Sequence, residues 1–175
     1  DKGGEGLYEI LCQLEAKDVD YELAVIGQQF RDSPPAFAQI AARFESRLVR
    51  FGYLESRAEY QSVLGAADIV LSTALHEFQG LAVLEAVAAG CLPVGPARLS
   101  YPEIYPSRFC YVGSPDDPAA EARAAVDTLR SVAQDLSAGL SGCPEVSAFY
   151  PASLADPYRR LFTSVARGGA SQDSQ

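Results

Sequence analysis

The sequence predicts an α/β fold in which a parallel sheet is covered by helices on both faces. Short apolar runs of strand length alternate along the chain with longer segments whose apolar residues recur at helical spacing. Several of the apolar runs end at a glycine, a residue expected where a strand turns out of a sheet. The 175 residues are enough for one domain with a full core.

The predicted strands are short apolar runs, and the first ends in a glycine turn. They cover residues 21–27, 48–52, 68–72, 91–94 and 109–112. The predicted helices carry an apolar face or a start signal, such as the proline pair at Pro34 or the capping pair Ser56 and Glu59. They cover residues 5–17, 34–44, 56–67, 80–89, 118–137 and 154–166.

Strict alternation of this kind is typical of a Rossmann-like sheet. Such sheets bind ligands at the carboxyl ends of their strands. In this chain those ends lie at Gly27, Gly52-Tyr53, Ser72-Thr73 and Gly95. We therefore expect one ligand site along this edge of the sheet.

Composition limits the possible functions. The apolar content is 48% and the charged content 21%, with no apolar run of membrane-spanning length and no secretion signal, so we expect a cytoplasmic protein. The net charge of −9 argues against a main nucleic-acid surface on this chain, because such surfaces are normally basic. Four scattered cysteines and one histidine do not resemble a zinc site.

The ends of the chain suggest a piece of a longer protein. The sequence contains no methionine and opens at Asp1 inside what reads as a loop. Residues 168–175 carry almost no apolar side chains, and we expect them to form a disordered tail. Residues 1–167 are then expected to form one ligand-binding domain.

The most informative segment, residues 76–86, follows the strand 68–72 and leads into an apolar helix. A helix N-terminus offers unpaired backbone N–H groups and a positive dipole end, which suit a phosphate. Gly80 would let a ligand approach the backbone closely. Glu77 lies in the loop just before these N–H groups.

Glu85 is the only charged residue between Glu77 and Arg98, on a helix otherwise built of Leu, Ala and Val. A buried carboxylate without partners is unfavourable, and helical side chains lean toward the N-terminus. Glu85 should therefore point at the ligand edge, where a vicinal diol such as a ribose would satisfy both oxygens. The alternative is that Glu85 pairs with an arginine and that Glu77 is a solvated loop residue.

The stretch from Glu77 to Pro93, EFQGLAVLEAVAAGCLP, resembles the E-x7-E signature of retaining GT-B glycosyltransferases of family 4 type. The resemblance implies that this chain is the C-terminal, donor-binding domain of a GT-B fold. It implies that Glu77 hydrogen-bonds the donor sugar and that Glu85 holds the ribose. The implied donor-binding set is Lys2, Tyr53, Leu54, Glu77, Phe78, Gln79, Gly80, Leu81 and Glu85.

Lys2 matches the family lysine that neutralises the diphosphate leaving group, although a solvated terminal lysine is the alternative. The resemblance thus implies catalytic roles for Glu77 and Lys2. The family arginine that precedes this lysine would fall before Asp1. Phe51 to Leu54 match the loop whose backbone contacts the base.

Further segments are similar to the tRNA-queuosine mannosyltransferase group. These are His76 to Gly80, the turn Gly90-Cys91-Leu92-Pro93, and Leu99-Ser100-Tyr101-Pro102-Glu103-Ile104-Tyr105-Pro106. Gln79 stands where that group usually carries Phe. The implied donor is GDP-mannose, and the implied acceptor is queuosine in a tRNA bound mainly by an N-terminal domain. Tyr101-Pro102-Glu103 could equally form a structural turn.

The resemblance implies an enzyme that transfers a hexose with retention and needs no metal or other cofactor. This chain alone is expected to be inactive, because GT-B catalysis takes place between two domains. The alternatives are a GT-B half with another nucleotide sugar and a glycan, lipid or small-molecule acceptor, or a non-catalytic nucleotide-binding module.

Three other patterns are given different interpretations. Asp18-Val19-Asp20 resembles a metal-binding DxD, but it falls on the turn before strand 21–27, at the amino end of the sheet, and is interpreted as a solvated turn. His76 is interpreted as a loop residue rather than a base. A phosphoacceptor receiver domain is rejected, because Asp68 opens its strand instead of ending it.

Overall fold

The computed structural model describes residues 3–27, 34–114, 116–140 and 142–169. The chain divides into two compact units, Asp1–Pro144 and Glu145–Gln175. No helix in the described part of the chain is long and apolar enough to cross a membrane. The domain boundary expected at residue 167 stays a prediction. Gly168 and Gly169, expected in the tail, continue the last helix. The rest of the expected tail, 170–175, lies outside the described residues.

The first unit alternates strands and helices, as the sequence predicts. Its strands are β1 Leu23–Ile26, β2 Leu48–Gly52, β3 Ile69–Leu71, β4 Leu92–Pro96 and β5 Cys110–Tyr111. Its helices are α1 Gly4–Ala16, α2 Pro35–Arg43, α3 Arg57–Ala66, α4 Leu81–Ala88, α5 Tyr101–Ile104 and α6 Pro118–Ser137. The second unit carries α7 Pro151–Gly169, which displays exposed apolar side chains at Tyr158, Leu161, Phe162 and Val165.

Local start signals explain where two of the helices begin. Ser56 caps α3 by accepting a hydrogen bond from the backbone N–H of Glu59 at 3.1 Å. Asp117 caps α6 in the same way through the N–H of Ala120, and Pro118 occupies the first turn, where its missing N–H is harmless. The glutamate side chain predicted to complete the capping box instead pairs with Arg50 at 3.5 Å.

All strand pairs are parallel, which confirms the α/β architecture with helices flanking the strands. The strands form two hydrogen-bonded sets, β1–β2 and β3–β4–β5, instead of one continuous ladder. The apolar runs identify strands but do not determine which neighbours share a ladder. The short helix α5 was not predicted, because its segment reads as a proline-rich loop.

The core of the first unit centres on β4, which is buried along its whole length. Both α4 and α6 contact this strand, and α4 buries Val83, Ala86 and Val87. Three aromatic side chains, Tyr101, Phe109 and Tyr111, are almost fully buried in the same region. Burial of large aromatic side chains stabilises a fold strongly, so the carboxyl end of β4 has a firmly packed surround.

Candidate functional site

The loop from Ser72 to Gly80 joins β3 to α4 at the carboxyl edge of the strands. Gly80, the residue before the helix, has φ 65° and ψ 38°, a left-handed conformation that glycine adopts without strain. A Cβ at Gly80 would lie 3.3 Å from Cε1 of Tyr101. Glycine therefore allows the start of α4 to pack directly on that ring. The N-cap residue Gly80 gives the first backbone N–H groups of α4 no side-chain hydrogen bond. A helix start of this kind suits an anion.

Hydrogen bonds from buried aromatic side chains hold this loop in place. Tyr101, only 1% exposed, has its hydroxyl 2.7 Å from Oγ of Ser72. The Tyr111 hydroxyl donates to the carbonyl of Ser72 at 3.0 Å. The side chain of Tyr101 thus has a structural role beneath the loop, which favours the structural-turn interpretation of its segment.

An ion pair fixes the loop from a second side. The guanidinium of Arg98 donates two hydrogen bonds of 2.8 Å to the carboxylate of Glu121, and a third of 3.3 Å to the carbonyl of Ala74. Glu121 also accepts from the N–H of Ser114 at 2.7 Å. These donors, Arg98 above all, hold the pKa of Glu121 below its ordinary value. Sequence reasoning missed this pair, because residues 98 and 121 belong to no common motif.

Glu77 lies partly buried beside this framework. Its Oε1 accepts from the backbone N–H of Phe78 at 3.2 Å, and its Cγ would be 3.9 Å from a Cβ at Gly80. Burial raises the pKa of Tyr101, and the charge of Glu77 raises it further. Phe78 is 95% exposed, and Gln79, Leu81 and His76 also face solvent. The loop therefore presents one half-buried carboxylate and an exposed aromatic tip.

A cavity of about 350 Å³ opens at the carboxyl ends of β1 and β2. Its walls are formed by Ile26, Gly27, Tyr53, Leu54, Glu55, Ser56, Arg57 and Tyr60. Tyr53 and Leu54, predicted to contact the base, both line it. The volume lies at the small end of the range of ligand pockets, which span roughly 300–1,000 Å³.

Glu85 is linked to the wall of this cavity. Its Oε2 accepts a hydrogen bond of 2.9 Å from the hydroxyl of Tyr60, so the partner is a tyrosine and not the arginine considered above. Glu85 is exposed, which corrects the expectation of a buried carboxylate: α4 turns this side away from its apolar core face. Burial and the bond to Glu85 raise the pKa of Tyr60 to about 12. No sequence pattern connects these residues, which lie 25 positions apart.

Lys2 lies outside the described residues. Its neighbour Gly3 has φ 65°, and a Cβ there would be 2.0 Å from the carbonyl oxygen of Thr73. Gly3 therefore lies against the end of β3, and the start of α1 belongs to the same edge as the loop and the cavity.

The DxD-like turn lies away from this edge. Asp18 has φ 51° in the turn after α1, and Asp20 pairs with Arg47 at 2.6 Å. Arg47 also bonds Glu15 at 3.0 Å. These contacts fit the solvated-turn interpretation. Among the residues that the structure describes, no three His, Cys, Asp or Glu side chains form a metal-binding group; donor binding without a metal or cofactor stays a prediction.

Comparison with known proteins assigns the family. Residues 1–131 match the family model of glycosyl transferases group 1. The chain belongs to this family. The E-x7-E segment, its loop and the whole cavity lie within the matched residues.

One relative and two solved structures are similar to parts of this chain. The chain is 45% identical over 111 residues to a tRNA-queuosine alpha-mannosyltransferase of Drosophila melanogaster, across 63% of this chain and 29% of that protein. It resembles a pneumococcal O-GlcNAc transferase, GtfA, solved with UDP and GlcNAc, at TM-score 0.58 and 16% identity over 75% of this chain and 26% of that one. TarM gives TM-score 0.55 at 20% identity, over 77% and 26%. The two structures support the GT-B type of fold, and the chain spans less than a third of the length of each of these three proteins.

Proposed function

We propose that this chain is the donor-binding domain of a retaining glycosyltransferase that moves mannose from GDP-mannose to queuosine in tRNA. The observation that carries the proposal is the continuity of the carboxyl edge: the hydrogen bond from Tyr60 to Glu85 links the cavity at β1 and β2 to the helix that follows the Glu77 loop. A nucleoside in the cavity and a diphosphate at the start of α4 would then lie next to each other.

The residues of this edge match the chemical needs of sugar transfer. When the bond between the anomeric carbon and the diphosphate breaks, negative charge develops on the leaving group. Fixed dipoles stabilise such charge best where they need no reorganisation, and the start of α4 is held by the Tyr101 and Arg98 contacts. We assign Glu77 to the sugar hydroxyls, Glu85 to the ribose and Lys2 to the diphosphate. We propose that no metal or cofactor takes part.

The choice of mannose and queuosine rests on the similarity to the fly tRNA-queuosine alpha-mannosyltransferase, together with the similar segments described above. The net charge of −9 supports a division of labour, because tRNA affinity depends on neutralising phosphates with Lys and Arg. We therefore propose that the tRNA is held mainly by other parts of the whole protein, and that the protein acts in the cytoplasm.

Donor binding is tested by titrating this chain with GDP in a calorimeter. Glu85→Gln should weaken binding roughly ten- to a hundredfold, the value of about 1.5–3 kcal/mol for hydrogen bonds to a charged group. Glu22→Gln, the same charge change at an exposed position before β1, serves as control. Equal affinities for wild type and Glu85→Gln would contradict the ribose assignment.

Transfer is tested with labelled GDP-mannose and tRNA with or without queuosine, using first this chain and then the complete gene product. We expect label only with the complete protein and only in queuosine tRNA. Transfer by this chain alone would refute the two-domain mechanism. Labelling of tRNA that lacks queuosine would refute the acceptor, and preference for a UDP- or ADP-sugar would refute the donor. Binding without any transfer would favour a nucleotide-binding module.

A further inference from the structure

Tyr60 takes part in two features of the carboxyl edge that no sequence motif connects. Its side chain lines the cavity at the ends of β1 and β2, and its hydroxyl is 2.9 Å from Oε2 of Glu85 on α4. The phenol carries a single proton and a carboxylate can only accept, so Tyr60 is the donor. Since burial and this bond raise the pKa of Tyr60 to about 12, the proton is present at any physiological pH.

This bond restricts an otherwise mobile acid. Glu85 is exposed, and an exposed glutamate samples several rotamers that it must give up when it binds a ligand. A hydrogen bond to one carboxylate oxygen selects among these rotamers before the ligand arrives. Oε1 and the remaining lone pairs of Oε2 stay available, because each ionised oxygen can accept more than one hydrogen bond.

We propose that Tyr60 is a positioning residue that holds the carboxylate of Glu85 toward the ribose hydroxyls of a nucleotide in the cavity. The inference rests on the proposed function in one respect, which is that Glu85 binds the ribose. Preorganisation of this kind increases affinity by lowering the entropy lost on binding. Its signature is specific: the contribution of Tyr60 exists only while both Glu85 and the ribose hydroxyls are present.

A purely structural link between α3 and α4 is the competing explanation. In that case the Tyr60 hydroxyl would stabilise the fold, and its loss would weaken the binding of every nucleotide to the same degree. The two explanations therefore differ in how the effect depends on the ligand.

The experiment measures the affinities of GDP and of 2′,3′-dideoxy-GDP for four forms of this chain. These are the wild type, Tyr60→Phe, Glu85→Gln and the double variant. Tyr60→Phe should lower the affinity for GDP about three- to tenfold, the range of a single hydrogen bond, and leave the affinity for the dideoxy analogue unchanged. In the double variant, Tyr60→Phe should cause no loss of GDP affinity beyond that caused by Glu85→Gln, as expected for residues that act through each other.

Tyr8→Phe is the matched control. The Tyr8 hydroxyl also has a hydrogen bond, from Arg43 at 2.9 Å, but it does not line the cavity. This variant should bind both probes like the wild type. Circular dichroism and thermal melting of each variant verify that the fold is kept.

Three outcomes would overturn the inference. If Tyr60→Phe weakens GDP and its dideoxy analogue equally, or if the two substitutions add, Tyr60 is a structural residue only. If Glu85→Gln weakens GDP while Tyr60→Phe does not, the positioning role fails and the proposed donor site stands. If neither variant lowers the affinity for GDP, or if the wild type binds GDP and its dideoxy analogue equally, the proposed donor site fails as well.

Discussion

The two halves of the carboxyl edge are built in different ways. At the ends of β3, β4 and β5, the loop before α4 rests on almost fully buried tyrosines and on the ion pair of Arg98 and Glu121, whose side chains are 19% and 15% exposed. At the ends of β1 and β2, the cavity walls include exposed side chains such as Tyr53, and the ion pair of Arg50 and Glu59 is 55% and 37% exposed.

This difference predicts which substitutions should change stability and which should change ligand binding. Polar contacts withdrawn from water are strong and costly to break, whereas exposed ones contribute little. Substitutions beneath the α4 loop should therefore change the free energy of unfolding, and substitutions around the cavity should mainly change nucleotide affinity. The proposed diphosphate side is held by partly buried hydrogen bonds, as preorganised stabilisation of charge requires.

Arg98→Ala should have the largest effect on stability. It leaves the carboxylate of Glu121, which is 15% exposed, without its main partner, which costs about 1.5–3 kcal/mol. Chemical denaturation measures the loss. Arg159→Ala is the control, because its pair with Asp156 is mostly exposed, and it should cost less than about 1 kcal/mol. Equal losses in the two variants would remove the distinction between the two halves.

The same contact predicts a pH dependence. Because Arg98 and the Ser114 N–H lower the pKa of Glu121 in the folded state, its stabilisation is present above the unfolded value of about 4.3 and is lost as pH falls through the folded value. Denaturation at pH 6 and pH 3 should show a steeper loss for wild type than for Glu121→Gln. The exposed Glu22→Gln should keep the wild-type slope. Parallel slopes for all three proteins would contradict the assignment.

Gly80→Ala should cost about 1–2 kcal/mol, since a side chain at positive φ is strained. The added methyl would also lie 3.3 Å from the Tyr101 ring, so the variant should disturb the start of α4 and weaken GDP binding. Gly139→Ala has a similar φ of 67° and no neighbour within 4 Å, so it isolates the conformational strain. If Gly80→Ala loses no more stability than Gly139→Ala, the contact with Tyr101 contributes nothing.

Arg50→Ala should have the smallest effect, below about 1 kcal/mol, because its partner Glu59 lies 3.5 Å away and both side chains reach water. High salt should reduce even this difference. A loss comparable to that of Arg98→Ala would show that the cavity half is as firmly built as the other.

The parts of the molecule that follow from local chemistry could be predicted from the sequence. Helix α6 was predicted at 118–137 from an alanine-rich stretch, and it has these bounds in the structure, where Asp117 caps it and Pro118 lies in its first turn. The Glu77 loop and α4 were predicted from their glycine and apolar residues. The assignments of Glu77, Glu85 and the other donor-binding residues stay predictions.

The parts that depend on the tertiary structure could not be predicted in this way. The contact of Tyr60 with Glu85 joins two helices whose separation in space no periodicity encodes. Helix α5 follows Leu99, which adopts φ 60°, a conformation that is rare for leucine and that the sequence does not indicate. The same holds for the division of the strands into two hydrogen-bonded sets.

The exposure of Phe78 has a spectroscopic consequence. The chain contains no tryptophan, so its emission comes from tyrosine alone. An indole in place of the Phe78 ring would be the single tryptophan of the protein, and at 95% exposure the ring that it replaces contributes little to the core. Its fluorescence would report on the polarity beside Glu77 and on any molecule that approaches the tip of this loop.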